Sequence, residues 1–279
     1  MPRTSDARVD VLIPTYQRHA PLTGTFGSLL GQTQSFNLHV SDQSQPSYLE
    51  QPTIRAALGV HEQLGHSVCT YRHVPPRNIA EHRDFLLRQA RAPYVLFLDD
   101  DILLEPWVLA ALVGVIEQEQ CGFVGMFPSA LSYEHDVRAD QQRYEPWVGP
   151  VTPELVEPGS SAWERAELHR AANTWHVSRE LRQAGQLVRY KVAWIAQCCL
   201  YDRAKLLSVG GFGWWDRLPR YASGEDVLAQ LLLLERYGGC GILPSGAYAQ
   251  EVPTTVLNAR GTVDGHALEL LPEIRARFG

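Results

Sequence analysis

Short apolar runs alternate with helix-length amphipathic stretches through the first half of the chain. Residues 9–13 (VDVLI) read as a buried strand that Pro14 should close. A helix is expected over residues 22–30, a second strand over 37–41, and a third over 67–74, stopped by Pro75 and Pro76. Residues 79–92 carry helical periodicity, and residues 94–98 (YVLFL) have the strongest strand character in the chain. Pro106 then sits near the first turn of an apolar helix running to Glu119, and residues 122–127 read as another strand. Strands alternating with helices at this spacing predict an α/β fold: a doubly wound, mostly parallel sheet flanked by helices.

The texture changes after Pro128. Residues 129–172 are polar, carry Pro146, Pro150, Pro153 and Pro158, and show little periodicity, so a flexible insertion is expected there. Strand character returns over 192–201, and helix over 203–209 until Gly210-Gly211 ends it. A clear helix over 225–237 and a short strand over 241–243 follow. Without repeats or low-complexity tracts, the expectation is one domain over residues 1–279, with an elaborated second half beginning near residue 128.

Composition narrows the function classes. With 45% hydrophobic and 20% charged residues in 279, the chain is of ordinary globular type. It carries 25 Lys and Arg against 31 Asp and Glu, a net charge of −6, so no general basic field exists to hold nucleic acid. Cys69, Cys121, Cys198, Cys199 and Cys240 have unrelated spacings and no C-x-x-C, which suggests thiols in a reducing compartment rather than a zinc ribbon or disulfide framework. The first residues lack the apolar stretch of a signal peptide, and no apolar run is long enough to span a bilayer. A cytoplasmic protein is expected, with peripheral contact at the cytoplasmic membrane face left open.

The chemistry concentrates behind residues 94–98. Five apolar residues deliver Asp99, Asp100 and Asp101 to the carboxyl end of a central strand, the edge where open α/β sheets bind ligands. Three adjacent carboxylates repel one another and call for a multivalent cation or strong hydrogen bonds. Continued strand alternation would point Asp99 and Asp101 the same way and Asp100 opposite, so that the D-x-D pair faces one Mg²⁺ or Mn²⁺ ion. The plain alternative is a solvated acidic turn capping the next helix. G-x-x-x-x-G-K-[ST], G-x-G-x-x-G and H-E-x-x-H are all absent, which removes P-loop NTPases, fingerprinted dinucleotide folds and zincin proteases.

The order of these and other pieces resembles glycosyltransferase family 2, the inverting nucleotide-sugar transferases of GT-A fold. Residues 11–18 (VLIPTYQR) look like the family's opening strand and turn, and residues 40–44 (VSDQS) like its second strand and base-binding aspartate. Arg83-Asp84 stands where the family often has Arg-Asn, and Asp99-Asp100-Asp101 matches its D-x-D. Gly210-Gly211-Phe212 and Gly224-Glu225-Asp226 match its Gly-Gly-Phe and Glu-Asp pieces. The resemblance implies a nucleotide-sugar donor, probed by Thr15, Tyr16, Arg18, Asp42, Arg83, Asp99 and Asp100. It also implies a Mn²⁺ or Mg²⁺ cofactor on Asp101 and Asp99, and Asp226 as the general base. Residues 1–127 would then bind the nucleotide sugar, and residues 128–279 would hold the acceptor, a saccharide or lipid-linked hydroxyl, and the base.

Residue chemistry gives each assignment a rival. A carboxylate at Asp42 accepts the imide N–H of uracil or thymine, favouring a UDP- or dTDP-linked donor, but a turn aspartate also satisfies its own backbone. Arg83 shares helical spacing with Ile79, Leu86 and Ala90, so it must snorkel out or meet an anion. Glu225 and Asp226 suit base chemistry and equally suit the first turn of a helix. Trp214 and Trp215, with Glu225, offer an acceptor or sugar wall, or simply core. A third metal ligand is open, with Glu251 a guess and His266 further on. A nucleotidyltransferase and a non-catalytic nucleotide-sugar-binding module remain as alternatives to the transferase.

Overall fold

The computed structural model describes residues 7–278. Twelve strands are β1 (Val9–Thr15), β2 (Asn37–Asp42), β3 (Val68–Arg72), β4 (Tyr94–Leu98), β5 (Ile102–Leu104), β6 (Phe123–Gly125), β7 (Val188–Tyr190), β8 (Cys198–Asp202), β9 (Ala222–Ser223), β10 (Gly239–Leu243), β11 (Ala247–Ala249) and β12 (Gly265–His266). The α-helices are α1 (His19–Leu29), α2 (Pro52–Gln63), α3 (Ile79–Gln89), α4 (Val108–Glu119), α5 (Asn173–Gln183), α6 (Arg203–Ser208), α7 (Glu225–Tyr237) and α8 (Leu271–Phe278).

Eight strands form one sheet in the order β3-β2-β1-β4-β8-β6-β10-β7. The pairs β2–β3, β1–β2, β1–β4 and β6–β10 are parallel, whereas β8 runs antiparallel to both β4 and β6, and β7 antiparallel to β10. Alternation along the strands feeds two cores. Leu12, Val95, Phe97 and Tyr201 pack on one face with Leu86, Leu228, Leu231 and Phe212. Val11, Ile13, Leu96 and Leu98 pack on the other with Phe26, Ile54, Leu112 and Ile116. Helices α3 and α7 thus cover one face and α1, α2 and α4 the other, the layering that the sequence pattern predicts. The direction of chain growth reverses between β1 and β4, and in doubly wound sheets the ligand crevice opens at that switch point.

Several elements depart from the sequence expectations. Strand β1 continues through Pro14 to Thr15, because Pro14 lies beyond the last residue paired with β4 and the ladder with β2 carries on. The strand expected over 192–201 is confined to Cys198–Asp202, since Ile195 spends its backbone N–H and C=O on the Gln230 side chain at 2.7 Å each instead of on a ladder. Helix α5 buries Asn173, Thr174, His176 and Ser178 and so carries little apolar pattern to read. The stretch 129–172 holds only short 3₁₀ turns outside regular structure, while its Val151, Val156 and Leu168 enter the two cores. Among the described residues no helix is long and apolar enough to cross a membrane.

Candidate active site

The cleft at the switch point has a volume of about 280 Å³, and the ends of β1, β4 and α7 line it. From β1 comes Thr15, whose hydroxyl donates to Asp100 Oδ2 at 2.6 Å, tying the two sides of the switch together. Arg18, in the turn before α1, spans Asp100 Oδ1 (3.2 Å) and Asp101 Oδ2 (2.9 Å) with one guanidinium nitrogen. Its other terminal nitrogen donates to the Pro253 carbonyl, which anchors the loop carrying Thr254, Thr255 and Val256 to the cleft wall.

Arg83 is the second pivot. It projects from α3, is buried, and lies over the Phe97 ring. Its Nη2 donates to Asp99 Oδ1 at 3.1 Å, and its Nε pairs with Glu225 Oε1 at 3.0 Å. One cation therefore joins the acidic turn behind β4 to the first turn of α7. Glu225 and Asp226 enter the cleft because Gly224 takes a left-handed φ of 80° just before the helix. A Cβ on Gly224 would stand 2.1 Å from the His266 ring, which β12 brings alongside β9. Asp226 Oδ1 accepts from the Val227 N–H at 2.8 Å, and among the described residues no side chain bonds its other oxygen.

The electrostatics follow first from burial of several carboxyls and then from their mutual repulsion. Burial pushes Asp99 up to about 7; Arg83 opposes that rise and the neighbouring Asp101 and Asp100 add to it. Burial likewise lifts Asp100 to about 6 against the Thr15 hydrogen bond and the Arg18 charge. Glu225 rises to about 7 through burial and then repulsion from Asp226, with Arg83 pulling the other way. Such a site gains from any added positive charge.

The structure gathers most of the expected residues and sets others apart. Thr15, Tyr16, Arg18, Arg83, Asp99, Asp100, Glu225 and Asp226 share the one cleft. Asp42 does not line it. Its carboxylate is fully buried and accepts from the Ser44 N–H (2.8 Å), the Ser47 hydroxyl (2.7 Å) and the Tyr48 N–H (2.7 Å). It is thus a loop-ordering residue in this arrangement, and the neighbour that faces the cleft is Gln43. The D-x-D geometry is corrected too. The chain turns immediately after Leu98, strand alternation stops, and Asp99 and Asp100 reach the cleft while Asp101 shares Arg18 with Asp100. Trp214 is core, 4% exposed and packed at an angle on Phe212. Trp215 lies under the Arg77 guanidinium at 4.9 Å, outside the cleft lining. Glu251 follows Gln250, whose N–H donates to the Asp101 carbonyl, but its carboxylate is taken by the Ser132 N–H and hydroxyl.

Comparison with known proteins follows this geometry. A model of glycosyl transferase family 2 matches residues 10–190, well over half of the chain. The chain belongs to glycosyl transferase family 2. No curated protein is significantly similar to it in sequence. Among solved structures, S. aureus TarS 1-349 aligns with a TM-score of 0.53 at 15% identity, covering 87% of this chain and 60% of TarS 1-349. The same protein in complex with UDP-GlcNAc gives 0.51 at 17% identity, over 89% of this chain and 60% of the other. The chain thus spans about 60% of the length of these relatives and shares their GT-A fold.

For a family 2 chain, the cleft holds residues that the sequence did not single out. Arg77 and Arg220 are exposed cations in its lining, and Asn78, Tyr221 and Ser223 line it with them. Asn78 caps α3 and donates to the Trp215 and Leu218 carbonyls, at 3.0 and 3.1 Å, fixing the α3 entrance against the turn before β9. The doublets Pro76-Arg77 and Pro219-Arg220 precede structured elements, and that is the only signal the sequence carried for them. The donor chemistry around Asp99–Asp101 fits a divalent cation: hard carboxylate oxygens, with Asp101 Oδ1 buried and lacking a hydrogen-bond partner among the described residues. Among the described residues no group of three or more His, Cys, Asp or Glu side chains is closed enough to hold a metal alone. A magnesium-like ion needs no such cage, since it takes one or two carboxylates and completes its shell with phosphate and water.

Proposed function

We propose that this protein is an inverting glycosyltransferase that moves a sugar from a nucleoside diphosphate sugar to a hydroxyl of a saccharide or lipid-linked acceptor. The observation that carries this reading is Arg83, which joins the acidic turn behind β4 to the Glu225-Asp226 turn of α7 across a single cleft. Family membership sets the reaction class, and the cleft supplies groups for both of its halves.

In the displacement, an acceptor oxygen attacks the anomeric carbon while the bond from that carbon to the β-phosphate oxygen breaks. The bonding pair leaves with the diphosphate, and the acceptor proton passes to Asp226. Asp226 suits the base role better than Glu225, whose carboxylate is held by Arg83. Asp99 in the cleft, with Asp101 through Oδ1 from outside the cleft lining, would hold a Mn²⁺ or Mg²⁺ ion, which when bound offsets the charge of the leaving diphosphate. Arg77 and Arg220 in the lining lie where the diphosphate can be met by guanidinium forks. Tyr16 and Gln43 line the nucleotide end, Tyr16 offering a ring face to a base and Gln43 an amide to its edge. UDP-linked donors, as in the TarS complex, are the first to test.

The test is turnover of UDP-sugars in the presence of Mn²⁺, with the anomeric configuration of the product followed by NMR. An inverted product is expected. Asp226→Asn should lower kcat by roughly 10²–10⁴-fold with UDP affinity preserved. A retained configuration would contradict the mechanism, and normal turnover in Asp226→Asn would remove the base assignment.

A further inference from the structure

A second cavity, of about 310 Å³, opens on the same edge of the sheet as the cleft, and none of the chemistry above uses it. Phe127, just past β6, Gln197, just before β8, and Ala249 at the end of β11 form its inner walls. Because β8 is antiparallel to β4 and β6, its beginning lies at the carboxyl edge where those two strands end. Order β4-β8-β6 then sets the Phe127 wall two strand spacings, about 10 Å, from the end of β4 and Asp99. The partition between the two cavities is shared: the Asp99 N–H donates to the Gln197 carbonyl at 2.9 Å, and the Gln250 N–H to the Asp101 carbonyl at 2.9 Å. Gln230 lies one turn beyond Asp226 on α7 and clamps Ile195, two residues before Gln197. The second cavity is therefore rigidly indexed to the acids of the first.

Its chemistry is that of a polyhydroxylated ligand. The Phe127 and His169 rings stack at 4.3 Å, 4° from coplanar, and the exposed Tyr133 adds a further aromatic wall. His169 Nε2 is bonded to the Tyr190 hydroxyl at 2.9 Å. His169 Nδ1 is buried and has no hydrogen-bond partner among the described residues, so the imidazole meets the cavity with its ring rather than with this nitrogen. Burial holds this imidazole down to about 3, so the ring is neutral and adds no charge to the wall. Arg138 bonds Asp136 through Nε and Nη2, and the Gln197 amide both donates and accepts. Among the described residues no carboxylate lines the cavity, which disfavours a cation, and the Arg138 guanidinium is already paired with Asp136, which disfavours a phosphate. The volume lies at the lower end of small-ligand sites, roughly 300–1,000 Å³.

The geometry points to this cavity as an acceptor subsite that holds one sugar ring of the acceptor while a neighbouring hydroxyl of the same molecule reaches Asp226. This rests on the transferase reading and names where the acceptor is gripped. A chain lying along the carboxyl edge of the sheet would cross from β6 to β4 in about the length of one or two sugar units.

The experiment is saturation-transfer NMR on the full chain with the methyl glycosides of glucose, galactose, mannose and N-acetylglucosamine as probes. It is run on the wild type, on Ala130→Trp, which fills the cavity, and on Tyr133→Ala, which strips an exposed wall. At least one glycoside should receive saturation from the wild type and lose at least fivefold of it in Ala130→Trp, with UDP affinity unchanged within twofold. The Tyr133→Ala variant should weaken the same signal. If no glycoside contacts the wild type, or the contact survives Ala130→Trp in folded protein that still binds UDP, the subsite assignment is overturned. If the glycoside behaves as expected while no nucleoside diphosphate binds, the donor reading fails and the subsite stands.

Discussion

At the residue scale, function turns on which carboxylates are left with unspent oxygens. Asp101 keeps Oδ1 buried and unpartnered while Arg18 takes Oδ2. The substitution Asp101→Asn should therefore remove the gain in UDP affinity that Mn²⁺ provides while leaving the metal-free affinity near wild type, as titration calorimetry with and without chelator would measure. A gain in affinity from Mn²⁺ that persists in the variant would contradict the assignment. The acidic triplet, Arg83 and the Glu225-Asp226 pair were legible in the sequence because each is an improbable charge beside an apolar pattern. Asp42 was legible as a residue but its surroundings were not: Ser44, Ser47 and Tyr48 take its oxygens within six positions, an outcome decided by loop geometry. Trp214 and Trp215 were ambiguous for a similar reason, since composition does not tell a binding wall from core.

At the element scale, the entry to α7 is set by backbone rather than by side chains. Gly224 combines a left-handed φ with a Cβ position occupied by the His266 ring. Gly224→Ala should cost about 1–3 kcal/mol in urea unfolding and displace the Glu225-Asp226 turn, lowering kcat as well, Asp226 being the proposed base. An unchanged midpoint and unchanged kcat would show that the turn relaxes freely. The sequence disclosed α3, α4, α7 and the parallel strands through their periodicity. It concealed α5, whose inward face mixes Asn173, Thr174, His176 and Ser178 with Val177 and Leu181, and the antiparallel sense of β8, which depends on where the chain returns after residues 129–172. The β9–β12 pairing joins residues some forty positions apart, and neither strand exceeds two residues. No local pattern announces such a contact.

For the whole molecule, one sheet supports both the site and the stability. Asp10 on β1 accepts from the Arg91 and Ala92 N–H groups at 2.6 and 2.9 Å and from Asn37 at 2.8 Å, fastening the turn that leads into β4. Burial alone would raise this carboxyl, but His39 and these hydrogen bonds hold it down to about 2. Its ionised form is therefore stabilised by folding. That contribution, about 2 kcal/mol, is complete above pH 4 and disappears as pH falls toward 2. Chemical denaturation of wild type and Asp10→Asn between pH 6 and 2 should show a stability gap that narrows across this window, and a gap independent of pH would contradict it.

At the other, carboxyl edge of the same sheet lies the subject of the central claim, a donor cleft that takes a nucleoside diphosphate together with a divalent cation. A thermal-shift series with UDP, dTDP, GDP and ATP, each with Mn²⁺ and each with chelator, tests it most directly. Ligand at a hundredfold excess over Kd should stabilise the fold by about 2.7 kcal/mol. The account predicts a Mn²⁺-dependent rise in Tm with at least one of the three diphosphates, and little with ATP. Folded protein whose Tm no diphosphate changes, with or without Mn²⁺, would contradict it.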